Sequence, residues 1–335
     1  MVLFIKNQTF FHTGEKRIEL LIFQDAFEVC NPLGSSKKKH KPLLGDLKRL
    51  ETEGIIIFDR KVGIEKRLYG TVVHFIGDKL GSHQIGGFTE NFSFSQYVCR
   101  YCFFERKSLS EKDVSVSTLR NVSNYNDLIL SQDFNKGVLR NSCLNSLKYF
   151  HVCNPGLPPC IAHDLFEGIV PFDLLEILKS LSATYDFSFD YINAFLQSIQ
   201  KKFCLRLSFP KINVKMKKLP GKADEIRHML FLMPHVLMSV VKNFEDPVYL
   251  LLSSMINMCR LICAQRISET EVELLNHFIS MYFVFRQECF PNKNLRPKHH
   301  FLQHYPDFIR QFGPLKNLST LHFEHKHQYF KSFST

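Results

Sequence analysis

The sequence predicts an α+β protein in which strands come first and helices follow, and three observations carry that reading. Short β-branched and aromatic runs, of the kind that form buried strands, fall at Ile18–Phe23, Ile55–Phe58 and Val72–Ile76. From Leu165 to Leu181 the apolar residues recur at helical spacing instead, with Phe166, Ile169, Leu174 and Ile177 on one side. A polar, Ser/Asn-rich stretch from Lys107 to Asn141 separates the two regimes.

The first run, RIELLIFQDAF, reads as a central strand that ends at Asp25. A turn and a basic cluster follow, with Lys37, Lys38, Lys39 and Lys41 either solvated or contacting phosphates beside the acid. PLLGDLKRLETEG predicts a short helix with Leu43, Leu44, Leu47 and Leu50 on one face and Gly54 at its C-terminal end. The strand at Val72–Ile76 ends on Asp78, and glycines follow at 81, 86 and 87. Weak helical patterns lie in SLSEKDVSVSTLRNV and NYNDLILSQDF. CNPGLPPCIAHD is a Pro/Gly hinge before the amphipathic helix, whose first turn holds His163, Asp164 and Glu167. Further helices are expected over 191–203, 223–242, 247–265 and 268–287, the last with Ser268 as N-cap and Glu271 completing a capping box. KINVKMKKLPGK, between the first two of these, is a basic linker.

At 335 residues the chain is long enough for two or three lobes. No run of ~18 apolar residues predicts a membrane span, and the N-terminal residues do not read as a secretory leader. The ten cysteines are therefore expected to be reduced thiols or metal ligands. A net charge of +11 points to a polyanionic partner, nucleic acid first.

Two constellations carry chemistry. Asp25 and Asp78 each end an apolar strand; if those strands are neighbours the carboxylates converge and can hold Mg²⁺ or Mn²⁺, with Glu324 as the third acid. The bland alternative makes Asp25 a turn residue, Asp78 a loop cap and Glu324 a surface charge. Cys99 and Cys102 form a CxxC, half of a zinc site, and His300 and His304, four apart, share one helix face and can supply the other half. His299 is an alternative to His300. A lone HxxxH among 15 histidines is usually incidental, and pairing with a CxxC makes it more specific. His163 is either a further metal or phosphate ligand or part of a capped first turn, the reading that suits Asp164.

Taken in order, QDAFEVCNPLGSSKKKHK, GDKLGSHQIGGFTENF with CRYC, PCIAHDLFEGIVPFDL, LPGKADEIRHML, RPKHHFLQHYPDFIRQFGPL and HFEHKHQYFK resemble the transposases of CACTA-type (En/Spm-like) DNA transposons, in the group that includes Mirage and Chapaev elements. The resemblance runs from about Ile18 to Lys331. It implies an RNase H-like mixed-sheet core with a DDE triad, interrupted by a large helical, zinc-binding insertion. Residues 1–106 would form the N-terminal part of the core with the CxxC, 107–290 the mainly helical insertion, and 291–335 a segment returning to the core with zinc ligands and third acid. By motif position the triad is Asp25, Asp78 and Glu324, and the zinc ligands are Cys99, Cys102, His300 and His304. The implied activity is metal-dependent DNA strand cleavage and transfer in the nucleus, with DNA as partner, a homo-oligomer left open and no membrane association.

The sequence departs from the family between His40 and Pro42, where members carry several tens of residues that form further strands. A tryptophan before the final FExKH segment is also missing. The shortened sheet would expose an edge and weaken support for the first acid. Three readings follow: a transposase-derived nuclease, active or degenerate; a non-catalytic zinc-stabilised remnant that binds DNA or protein; and a helical scaffold with neither metal, its Cys and His residues scattered in space.

Overall fold

A computed structural model describes residues 17–24, 41–154, 156–203 and 208–320. Its organising element is a strand pair. β1 (Arg17–Gln24) lies parallel to β3 (Ile64–Gly77), with Arg17 opposite Tyr69 and Gln24 opposite Gly77. β2 (Ile55–Asp59) pairs antiparallel with the first part of β3. Among the described residues the sheet is therefore mixed and three-stranded, in the order β1-β3-β2. All three expected strands are present. The third reaches back to Ile64 because IEKRL completes a hairpin with β2, and its charges hide it from a search for apolar runs.

β3 changes character along its length. Its first residues are exposed or half-buried, whereas every residue from Gly70 to Gly77 is buried. A strand covered on both faces reads as a continuous apolar run rather than an alternation, and TVVHFIG is such a run. α1 (Lys41–Thr52) packs on β3, burying Leu47 in the same core as Val72 and Phe75. It stops at Gly54, whose φ of +69° suits glycine and where a Cβ would lie 2.8 Å from the Leu68 carbonyl oxygen. α2 (Lys79–Gly86) ends in the same way at Gly87, where a Cβ would fall 1.9 Å from the Arg140 carbonyl oxygen. Beside it the buried Tyr125 of α3 (Val122–Ser131) donates to the Gly86 carbonyl at 2.8 Å.

The chain divides into two units, one running to Cys160 and resuming at Asp307, the other Ile161–Pro306. The second unit is helical. A π-helical stretch (Ala162–Ile169) leads into α4 (Val170–Tyr185), followed by α5 (Phe189–Lys202), α6 (Ala223–Leu237), α7 (Pro247–Ile262), α8 (Glu269–Cys289) and α9 (Pro297–Leu302). α7 packs along α8 and against α4. Ser268 and Glu271 close the capping box of α8 as their spacing predicts. α10 (Tyr305–Phe312) is the last described α-helix.

Three local expectations change. The amphipathic helix starts at Ala162 rather than Leu165, in π register. Pro171 has no N–H to give the carbonyl four residues back, and a widened turn before it relieves the clash of its ring there. α6 ends at Leu237 rather than reaching Lys242. SLSEKDVSVSTLRNV yields a 3₁₀ turn at Arg106–Leu109 and then irregular chain, since its serines and β-branched residues favour non-helical backbone. No helix among the described residues is long and apolar enough to cross a membrane.

The edge strand β2 exposes Ile55, Ile56, Ile57 and Phe58, the pattern of an aggregation-prone edge. Ile56→Lys should reduce light scattering of the concentrated protein while changing stability by no more than about 0.5 kcal/mol. A second expectation concerns His74 of β3, which is 4% exposed, with neither ring nitrogen hydrogen-bonded among the described residues. Burial pushes its pKa down to about 4. The unfolded chain therefore takes up a proton that the folded chain refuses, and stability falls as pH drops from about 6.5 toward 4, by about 3 kcal/mol from this residue. In pH-dependent melts, His74→Leu should flatten this part of the profile.

Candidate metal centre

The first half of the centre is a short loop stapled by backbone pairing. Tyr97 bridges Glu105, and Cys102 bridges Leu119, both antiparallel. Phe103 N donates to the Thr118 carbonyl at 2.9 Å and Arg120 N to the Tyr101 carbonyl at 2.8 Å. These bonds fold CRYC tightly enough for Tyr101 N to donate to Cys99 Sγ at 3.3 Å. Cys99 and Cys102 are both buried. A hydrogen bond with Cys99 holds the Cys102 thiol below its usual pKa, with backbone N–H groups of Ser117 and Phe104 adding to the effect against burial. Arg120 supports the loop from behind. It is buried, lies over the Phe103 ring, and donates from Nε to the Cys99 carbonyl at 3.1 Å and from Nη2 to the Lys136 carbonyl at 2.7 Å.

The second half is built on α9. Pro297 starts the helix with a preset φ. His299 Nδ1 accepts from Arg296 N at 2.9 Å, so its Nε2 carries the proton that faces Asp173 Oδ2 at 3.3 Å. Asp173 is buried in α4 and also accepts from Arg286 Nε at 2.7 Å and from the Tyr282 hydroxyl, both on α8. Burial alone would raise the Asp173 carboxyl; the His299 hydrogen bond and the Arg286 charge outweigh it and hold it well below the usual range. With His299 turned to Asp173, the next ring, His300, is left to pair with His304. Their Nε2 atoms are 3.2 Å apart, and both residues are buried.

One ligand atom from each of Cys99, Cys102, His300 and His304 lies within 4.8 Å of all the others. Among the described residues this is the only group of three or more His, Cys, Asp or Glu side chains so placed. Two thiols and two imidazoles are a tetrahedral zinc donor set, and zinc–nitrogen bonds near 2.05 Å set a nitrogen–nitrogen edge of about 3.3 Å. The 3.2 Å His300–His304 separation matches that edge. The cluster can hold a metal ion such as zinc, and the four residues are those the CxxC and HxxxH spacings select. His299, the expected alternative to His300, is engaged elsewhere.

The other expected site residues have separate fates. Asp25, Glu324, Lys37, Lys38 and Lys39 lie outside the described residues, as does the Lys41 side chain. Asp78 does end β3, and its Oδ1 accepts from Gly81 N at 2.6 Å, so it is the N-cap of α2. His163 sits in the π-helical stretch with Nε2 3.8 Å from Glu167, and its carbonyl accepts from the Lys298 ammonium. It is not part of the metal cluster. Asp164 makes no capping bond. It is buried, with the Tyr305 hydroxyl 3.5 Å away.

Arg120, Asp173, Tyr282 and Arg286 were not singled out by the sequence patterns. One signal was present: Leu165, Ile169, Asp173, Ile177 and Leu181 are spaced by four, so Asp173 interrupts a buried apolar row. Nothing local marks Arg120.

Metal analysis of the purified chain should find about one zinc per chain, lost in Cys102→Ser and in His304→Asn. A chelator should lower the melting temperature of wild type but not of either variant. Asp173→Asn should destabilise by about 3–5 kcal/mol because it leaves the Arg286 charge buried without a counter-charge. Chemical denaturation of Asp173→Leu/Arg286→Met should recover much of that loss.

No protein-family model matches the chain, and no curated protein matches it.

Proposed function

We propose that the chain is a transposon-derived protein of the DDE transposase type, with an RNase H-like core and ancestral activity in metal-dependent cleavage and joining of DNA strands. The observation that carries this reading is the register of the parallel pair. Gln24 stands opposite Gly77, and in the sequence the residue that follows each of them is an acid, Asp25 and Asp78. A parallel pair sends both chains out at the same end of the sheet, which is how two carboxylates are brought to one divalent ion. Bound there, Mg²⁺ or Mn²⁺ would activate a water or 3′-hydroxyl and stabilise the leaving oxygen of phosphoryl transfer. Asp25, Asp78 and Glu324 would hold the ions. The Cys99, Cys102, His300 and His304 centre would hold a structural zinc. DNA is the partner in this reading and the nucleus the compartment.

A specific observation favours the second reading, a non-catalytic zinc-stabilised remnant. Asp78 is already used as a helix cap, and only three strands are present among the described residues. The two readings separate on one substitution. Asn caps helices as well as Asp but carries no charge for a divalent ion. In a supercoiled-DNA nicking assay with Mn²⁺, a catalytic Asp78 predicts activity in wild type that Asp78→Asn abolishes with an unchanged melting temperature. A purely structural Asp78 predicts no nicking in either protein, with Asp78→Ala alone losing about 1 kcal/mol of stability.

A further inference from the structure

From within α5 to the start of α6 the chain carries its most one-sided charge. From Tyr191 to Ala223 there are eight Lys or Arg residues and no Asp or Glu. Basic runs in proteins are ordinarily flexible, solvated loops, but this one is fixed at several points. The buried Asn193 side chain clamps Ile212 from both sides, donating to its carbonyl at 2.8 Å and accepting from its N–H at 2.9 Å. Lys179 Nζ donates to the Met216 carbonyl at 2.9 Å, and Leu219 N donates to the Pro171 carbonyl at 2.9 Å. Ile212 and Leu219 are buried. Between and beside these anchors Lys211, Lys215, Lys217 and Lys218 are exposed, and none forms a salt bridge among the described residues. The Lys218 ammonium lies 5.5 Å from the centre of the Phe172 ring.

We infer that this anchored segment is a binding surface for the phosphate backbone of duplex DNA, with Lys211, Lys215, Lys217 and Lys218 as its contacts. The inference rests on the DNA-partner reading above and gives it a location other than the Lys37–Lys41 cluster. Holding the backbone in place removes much of the ordering cost that a free lysine tail incurs on binding. The surroundings select the polyanion. Residues 208–222 expose no aromatic side chain on which unpaired bases could stack, which argues against a single-strand platform. Val214 is their only exposed large apolar residue, too little to insert into a lipid interface. Backbone contact with a duplex needs neither feature.

The test is fluorescence anisotropy of a labelled duplex of arbitrary sequence with the full chain, across about 50 to 200 mM salt. Wild type should bind with a steep salt dependence. The quadruple variant Lys211→Ala/Lys215→Ala/Lys217→Ala/Lys218→Ala should bind more weakly, its log–log salt slope shallower by about 3 to 4 at ~0.9 per phosphate contact. A control removing the exposed Lys61, Lys242, Arg260 and Arg266 should keep most of the wild-type slope, and all three proteins should share one melting temperature. If wild type binds and the quadruple variant keeps its slope, or the control loses as much, the assignment fails while the DNA reading stands. If wild type binds no duplex, the DNA reading fails and takes this surface with it. Binding to anionic vesicles that the quadruple variant loses, without duplex binding, would reassign the surface to membranes and overturn the inference.

Discussion

A carboxylate shut away from water has to be neutralised where it lies, and Asp173 meets that demand with donors from two other segments. Arg286 supplies a charge and two N–H groups, Tyr282 a hydroxyl, and His299 a ring N–H. Each bond removes a freedom from the element that provides it. α8 is fixed along α4 by two of its residues, and α9 is fixed in rotation by His299. Rotation is what matters for the next residue, because the direction of the His300 ring is set together with that of His299 on the same turn. The histidines of the candidate metal centre are thus oriented by a buried charge they do not touch, as outer contacts orient ligands in metal sites generally.

The cysteine side reaches the same end by other means. Its loop has no helix or long strand to stiffen it, so the work falls to paired backbone, to the amide of Tyr101 on the Cys99 sulfur, and to the Arg120 guanidinium on the Cys99 carbonyl. A buried guanidinium beside two thiols is costly to place, and burial does push its pKa down. The neighbouring sulfurs push it back up, and Arg120 in turn favours the thiolate form of Cys102.

The sheet puts two demands on one residue. Asp78 leaves a strand buried on both faces, and the helix that begins there has unpaired N–H groups that a carboxylate satisfies. Capping occupies Oδ1 and fixes the rotamer. A carboxylate so held is preorganised for a second task at its other oxygen, and equally has a sufficient reason to exist without one. The parallel register with β1 is the feature that gives the first interpretation its content.

Local pattern by itself determined a good deal. Apolar runs located the strands, helical spacing located most helices, Ser268 and Glu271 marked a cap, and the CxxC and HxxxH spacings named the four residues that come together as the metal cluster. Each of these signals is carried within a few residues of chain, where geometry repeats with a fixed period or a short fixed distance. Only the tertiary structure decided that His300 rather than His299 joins the cluster, that Asp173 is paired rather than exposed, and that Arg120 backs the cysteine loop. Those outcomes depend on partners such as Asp173 and Arg286, far apart in sequence and brought together by packing, and no local periodicity records which buried polar group will meet which.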